Sequence, residues 1–249
     1  MHAKPLLSEH WTCRQTDVLI KADSLEAIEA VKRSILRNRS ALERYIARNP
    51  FFELSLEPLE IDENAPKVVQ LMAEAASLAG VGPMAAVAGA LAQLAVEEAV
   101  AAGARNVLVD NGGDIFIYGD QSYVVAIHAG TSPLSDKLAL EIPPEKLPIA
   151  VCTSSATVGP SLSFGEADAA TVLADSGALA DAAATAVCNQ TRGEPELAIR
   201  AGLEQARKIP GVKAALVIYG SYIGGWGDLP QMIIAEGLSE ELMKRIQIR

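Results

Sequence analysis

The stretch Val109-Asp110-Asn111-Gly112-Gly113-Asp114-Ile115-Phe116-Ile117-Tyr118-Gly119 sets two apolar arms around an Asn-Gly-Gly centre. Asn-Gly between such arms is the strongest short-range signal for a β-hairpin. Further apolar runs follow at short intervals, over Tyr123–His128, Lys137–Ile142 and Leu147–Thr153, which predicts antiparallel strands joined by tight turns. The turn also raises a chemical question, because a carboxylate flanks it on each side. One reading is a plain hairpin with Asp110 and Asp114 solvated. The other is a backbone left bare so that a phosphate or sugar can approach the glycines.

Outward from the hairpin, helical and extended patterns alternate. Thr16–Ala22 reads as a strand, and Ser24 caps a long amphipathic helix reaching about Arg48. Phe51–Ile61 reads as extended and acidic. A helix from about Asn64 to Leu78 carries Pro66 in its first turn. Ala79-Gly80-Val81-Gly82-Pro83-Met84 then leads into an alanine-rich helix ending near Ala102. That glycine spacing is GxG alone and matches no dinucleotide fingerprint. After the hairpin region come a strand at Ala169–Ala174, helices over Gly177–Cys188 and Pro195–Lys208, strands over Lys213–Tyr219 and Gln231–Ala235, and a helix from Ser239. Helices flanking a run of antiparallel strands predict an α+β fold, with layered antiparallel or mixed sheets covered by helices. No linker or repeat divides residues 1–249, so a single domain, or two intimately packed subdomains, is expected.

Composition narrows the function. Half of the 249 residues are hydrophobic and 21% are charged, a globular balance. The net charge of −10 argues against a nucleic-acid partner. The basic run Lys32, Arg33, Arg37, Arg39, Arg44 and Arg48 has helical spacing and reads as a solvated helix face. Val81–Val100 is apolar but interrupted by Gln93, Glu97 and Glu98, which predicts a buried core helix rather than a membrane span. Three scattered cysteines and a polar N-terminus are what a cytoplasmic protein would show. Three histidines exclude a multi-histidine zinc site, so any metal is expected to be hard and oxygen-ligated. The apolar excess, a mean hydropathy of +0.21, favours self-association into a homo-oligomer.

Two more clusters carry polar groups beyond what packing needs. Four serines and two threonines lie between Val151 and Gly165, directly after an apolar strand. Their hydroxyls could bind phosphate or carbonyl oxygens, or simply be solvated. Asp181 and Thr185 are four residues apart, so on a helix they share a face. Carboxylate beside hydroxyl offers hard ligands for magnesium. The alternative is an Asp held by the dipole at its own helix N-terminus.

In order and spacing, over residues from about 65 to 190, these elements resemble the ApbE-like superfamily, whose characterised members are FAD:protein FMN transferases. The matching residues are Gly112, Gly113, Asp114 and Ile115 for a GGD-I turn, Thr153, Ser154 and Ser155 for a T-S-G/S element, and Ala180, Asp181, Ala182 and Thr185 for an A-D-A-x-x-T helix. The fit is best to the shorter bacterial and archaeal branch. The resemblance implies a flavin-binding fold with FAD or a related flavin nucleotide as the small-molecule partner. It implies magnesium held by Asp181 and Thr185, and nucleotide contacts from Gly112, Gly113, Thr153, Ser154 and Ser155. In the transferases the metal sits at the FAD pyrophosphate, which is cleaved as FMN moves to a threonine hydroxyl of a target protein. Since carboxylates repel phosphate, the glycine amides rather than Asp110 and Asp114 are expected to meet the ligand. Two family elements are absent. Gly80-Val81-Gly82-Pro83-Met84-Ala85-Ala86 stands where the transferases carry G-A-x-x-K-G-Y, and Gly159–Gly165 stands where they carry His-x-x-Asp-Pro. A second reading therefore stays open, a non-catalytic binding or assembly protein on the same fold.

Overall fold

The computed structural model describes residues 5–157, 164–234 and 246–248. In chain order it contains β1 (Leu7–Cys13), β2 (Thr16–Ala22), α1 (Leu25–Arg48), α2 (Phe51–Leu54), α3 (Lys67–Ala79), α4 (Val87–Ala101), β3 (Val107–Asn111) and β4 (Asp114–Tyr118). It continues with β5 (Tyr123–Ala126), β6 (Leu138–Ile142), β7 (Ile149–Ser154), β8 (Ala169–Ala174), α5 (Gly177–Gln190), α6 (Pro195–Lys208), β9 (Val212–Tyr219), β10 (Tyr222–Gly227), β11 (Gln231–Ile234) and β12 (Ile246–Ile248). Short 3-10 turns at Pro83–Ala86 and Pro144–Lys146 complete the described elements.

The fold is α+β. A nine-stranded sheet runs in the order β1-β2-β3-β4-β7-β8-β9-β10-β12, and a three-stranded sheet in the order β11-β6-β5. Strand pairs within the described residues are antiparallel except β10 with β12. The four strands read in quick succession therefore separate. β3 and β4 form the predicted hairpin, but β4 pairs next with β7, while β5 and β6 leave for the smaller sheet.

Alternation along the strands sends residues to two different cores. Leu108, Ile115, Ile117, Val151, Leu173, Leu216 and Ile218 fill the layer between the large and small sheets. Val109, Phe116, Ala150, Cys152, Val172 and Val217 face the helices. On the helix side, α1 begins where Ser24 Oγ accepts from Ala27 N–H (3.1 Å) and buries Ile28, Val31 and Ile35 along one stripe. Ser34, fully buried on that stripe, donates to the Leu94 carbonyl of α4 (3.0 Å). Pro83–Ala101 is long and apolar enough to cross a membrane by composition. Here it packs as an inner helix against α1, α5, β3 and β4, burying Gly89, Ala90, Leu91, Ala92, Ala95, Val96 and Ala99.

The structure corrects several local expectations. Phe51–Ile61 is not wholly extended, since Phe51–Leu54 form a helical turn that buries Phe52 at the edge of Tyr45 (centroids 5.2 Å apart). Helix α3 starts at Lys67, with Pro66 in the capping position. Strand β1 escapes periodicity because it lies at the sheet edge with no buried residue. Strand β10 escapes because Gly224 and Gly225 read as loop. Yet a Cβ on the neighbouring Gly227 would meet the Lys213 carbonyl at 2.2 Å, so close strand contact explains that glycine. Ala235 and the helix expected from Ser239 lie outside the described residues.

Candidate functional site

One end of the large sheet gathers the chemistry-bearing segments. The β3–β4 turn lies there, because Asn111 pairs with Asp114 and Val18 of β2 pairs with Asn111. The end of β7 and the start of β8 join it, with Asp114 opposite Cys152 and Ser154 opposite Ala170. Gly112 and Gly113 have φ of 69° and 100°. Positive φ at both central residues is the two-residue hairpin conformation that favours glycine. A Cβ at either position would meet nothing within 4 Å, so φ alone accounts for both glycines.

The two flanking aspartates part company. Asp110 follows Leu108 on the face toward the small sheet, and its Oδ1 accepts from Gly113 N–H (2.8 Å), which locks the turn. That amide is therefore already engaged, whereas the glycine amides were expected to meet a ligand. Burial pushes the Asp110 carboxyl up, against the lowering effect of the Gly113 N–H. Asp114 lies on the helix-facing side with Phe116 and, across the strand pair, Cys152. Neither carboxylate is the solvated group of a plain hairpin. Both are partly buried, and Asp114 Oδ1 is enclosed with no hydrogen-bond partner.

Asp181 approaches from above the same face. Helices α4 and α5 cross with their backbones in contact at Gly89 and Gly177. A Cβ on Gly89 would sit 2.1 Å from the Gly177 carbonyl oxygen, and a Cβ on Gly177 2.4 Å from that of Gly89. Each helix supplies a polar group to the start of the other. Gly89 N–H of α4 donates to Asp181 Oδ2 (2.9 Å), while Gly177 N–H and Ser176 Oγ donate to Gln93 Oε1 (2.8 and 3.1 Å). Asp181 thus caps the N-terminus of α4, where free amides favour negative charge, rather than that of its own helix. Helix α5 has its own cap in Ser176, whose Oγ accepts from Leu179 N–H (3.3 Å).

Both carboxyls are raised, and Asp114 feels the charge of Asp181. Burial raises the Asp181 carboxyl to about 7, opposed by the Gly89 and Ala88 amides. Asp114 lies well above the usual carboxylate range, first through burial and then through the charge of Asp181, against a Cys152 hydrogen bond and the Thr153 amide. Burial pushes the Cys152 thiol up too, followed by the charges of Asp114 and Asp181. Cys152 Sγ contacts the Gly177 carbonyl (3.7 Å), which ties strand β7 to the helix crossing. Asn111 Nδ2 donates to the Ala88 carbonyl (3.2 Å) and ties the turn to the start of α4.

Of the residues singled out from sequence, Asp181 and Ser154 share this helix-facing neighbourhood. Thr185 lies one turn beyond Asp181 on α5, partly buried like it. Thr153 does not share that face. It points to the opposite side of the sheet, where its Oγ1 pairs with Thr171 Oγ1 (2.9 Å) across β7 and β8. Ser155 Oγ accepts from Thr157 N–H (3.0 Å), and Thr157 Oγ1 donates to Asp168 Oδ1 (3.5 Å). Asp168, 8% exposed, also accepts from Gly220 N–H (2.6 Å) and so braces the serine segment against the β9–β10 turn. Residues 158–163 of that segment lie outside the described residues. Sequence reasoning missed Asn111 as a partner of α4 and Asp114 as a buried group. Their alternation with Val109 and Phe116 was the available signal.

Residues 2–210 match the family described as AbpE bacteria. The chain belongs to this family. Among curated relatives, the UPF0280 protein of Methanosarcina acetivorans is 47% identical over 238 residues, covering 96% of this chain and 93% of that protein. The UPF0280 protein of Methanocaldococcus jannaschii is 41% identical over 223 residues, 88% and 90% of the two chains. Two solved structures share the fold. The ApbE protein of Thermotoga maritima aligns with a TM-score of 0.55 at 14% identity, over 93% of this chain and 97% of that one. The flavinyl transferase ApbE of Pseudomonas stutzeri, in its apo form, aligns with a TM-score of 0.53 at 15% identity, over 95% and 97%.

The donor set at the sheet end suits a hard cation. The carboxylates of Asp114 and Asp181, one with an enclosed oxygen that has no partner, and the hydroxyls of Ser154 and Thr185 are all oxygen donors. Among the described residues no group of three or more His, Cys, Asp and Glu gathers to hold a metal. A cation here would therefore be held by at most two carboxylates plus hydroxyls and water, the coordination that magnesium accepts and zinc does not favour. A cavity of about 540 Å³ between α6 and β10, lined in part by Leu203, Tyr222 and Trp226, lies away from these carboxylates.

Proposed function

We propose that the protein binds a flavin nucleotide, FAD or a close relative, with magnesium at the sheet end where Asp181 and Thr185 lie, and transfers FMN from FAD to a hydroxyl of an acceptor, the pyrophosphate bond breaking as the new phosphoester bond forms and AMP leaving. The observation that carries this reading is the Asp114–Asp181 pair. Both carboxyls are raised by burial, and that of Asp114 further by the charge of Asp181, so two such groups in one partly buried layer are unfavourable as anions unless a proton or a cation compensates them. Family membership and the shared fold with a flavinyl transferase support the flavin as the ligand class. A bound magnesium ion would supply charge neutralisation at the nucleotide pyrophosphate. The chain's own residues do the rest. Asp181, oriented by the α4 amides, and Thr185 hold the cation. Of the hydroxyls at the end of β7, only that of Ser154 shares this face, and the Asp110-locked turn fixes Asp114 in the same layer. The protein works in the cytoplasm, as a homo-oligomer.

One specific feature favours a second reading, a binding or assembly protein without transfer chemistry. The lead-in to α4 carries no lysine or tyrosine from Gly80 to Ala86, so no cation from that segment can meet a phosphate. Calorimetric titration of the purified protein with FAD, with and without magnesium, tests both. Micromolar, magnesium-dependent binding that Asp181→Ala abolishes is the expected result. Binding unchanged in Asp181→Ala supports the second reading. No binding of FAD or FMN under either condition overturns the first.

A further inference from the structure

We infer that Asp114 and Ser154 are two further oxygen ligands of this cation site, so that the ion is gripped by the central sheet as well as by α5. The inference rests on the magnesium reading above and adds the sheet-side half of the site.

Three observations carry it. The first is placement. Asp114 lies opposite Cys152 in the β4–β7 ladder, and Ser154 follows Cys152 by two residues, so all three project from one face. Cys152 touches Gly177 at the helix crossing, which brings that face directly under α5 and Asp181. The second is satisfaction. Asp114 Oδ1 and Ser154 Oγ are the enclosed side-chain oxygens without a hydrogen-bond partner among the described residues, and both lie in this layer. Ser154 is only 7% exposed. A buried polar group left unpaired is costly, so two such oxygens in one layer mark a missing partner. The third is number. With no third carboxylate grouped there among the described residues, Asp181 and Thr185 alone leave most of an octahedral shell to water. Asp114 supplies a second charge, and Ser154 a second neutral oxygen, on the opposite wall.

The rival explanation is that Asp114 is an inert, protonated acid of the core. Asp114→Asn separates the two, because an amide mimics the protonated carboxyl in shape and keeps the fold but cannot serve as an anionic ligand. Binding of Mn2+ to the full-length protein is measured by electron paramagnetic resonance at pH 7.5, without nucleotide and then with FAD. We expect Asp114→Asn to weaken Mn2+ at least tenfold and Ser154→Ala to weaken it several-fold. Circular dichroism and melting should stay close to those of the parent protein. If Asp114→Asn fails to fold, Ser154→Ala decides alone, since it deletes one oxygen without adding bulk. Unchanged Mn2+ affinity in the folded variants, while Asp181→Asn loses it, overturns the sheet-side ligands and leaves the magnesium reading standing. Mn2+ binding that needs Asp114, in a protein that never binds FAD or FMN, sustains the inference and sinks the flavin reading. A parent protein that binds no Mn2+ even with FAD overturns both.

Discussion

The two faces of the central sheet are built by the same strands and differ sharply at one end. Toward the small sheet, Leu108, Ile115, Ile117, Val151 and Leu173 make an apolar layer. Toward the helices, Val109, Phe116, Ala150 and Cys152 do the same until the last residues, where Asn111, Asp114 and Ser154 take their place. Polar side chains inside a layer cost stability unless something pairs with them. Asn111 finds the Ala88 carbonyl, whereas Asp114 Oδ1 and Ser154 Oγ find no protein group. The contrast teaches where this molecule accepts an energetic penalty, and so where a ligand would relieve one. Asp110 and Asp114 show it within five residues, one locking the turn and the other facing the helices.

The widest gap between the faces should appear on strand β4 itself. Ile117, fully buried against the small sheet, should cost about 2–5 kcal/mol on substitution by alanine, through lost burial and the cavity left behind. Urea unfolding of Ile117→Ala should show that loss while Mn2+ affinity is retained. A comparable loss of cation affinity in this variant would mean that the two layers do not act separately.

The next effect in size is a pH dependence on the helix face alone. In the folded protein Asp181 keeps its proton up to about 7, against a usual value of 3.8. Between those values the folded state holds more protons than the unfolded state, so stability falls as pH rises and levels off above about 7. At about 1.4 kcal/mol per pH unit over that interval, the loss should be at most on the order of 4 kcal/mol. Melting in a chelator should therefore be higher at pH 5.5 than at pH 8. The slope should flatten in Asp181→Asn, and magnesium should restore stability at pH 8. A rise in stability with pH would mean the pair is ionised and already compensated by the protein.

Much of this was legible in the sequence, and the reasons for the remainder are physical. Ser24, the Gly112–Gly113 turn and the Asp181–Thr185 spacing are local signals that survive without tertiary context. Strand β8 and helix α6 matched their predicted bounds because their patterns are bracketed by clear starts and stops. The branching of β5 and β6 into a second sheet was not legible, since strand pairing beyond a hairpin depends on which faces meet. Nor was the separation of Thr153 from Ser154. A T-S-S string reads as one polar patch, but alternation sends neighbours to opposite sides of a strand. The role of Asp181 as a cap for α4 was hidden for a similar reason, because Gly89 is ninety-two residues away in the chain.

The smallest effect returns to the turn and can still revise its reading. With φ of 69° and 100° at Gly112 and Gly113, alanine at Gly113 should cost about 1–2 kcal/mol from backbone conformation alone, since open space surrounds it. Asparagine, which tolerates left-handed backbone, should be nearly neutral at Gly112. That pair of variants isolates conformation from contact. If Gly112→Asn keeps both the stability and the FAD affinity of the parent, the glycines serve the hairpin, and Asp114 is what the turn exists to place. If Gly112→Asn keeps its stability but loses FAD, a ligand must pass so close to the backbone that no side chain fits, and the site extends from the helix face around the tip of the turn.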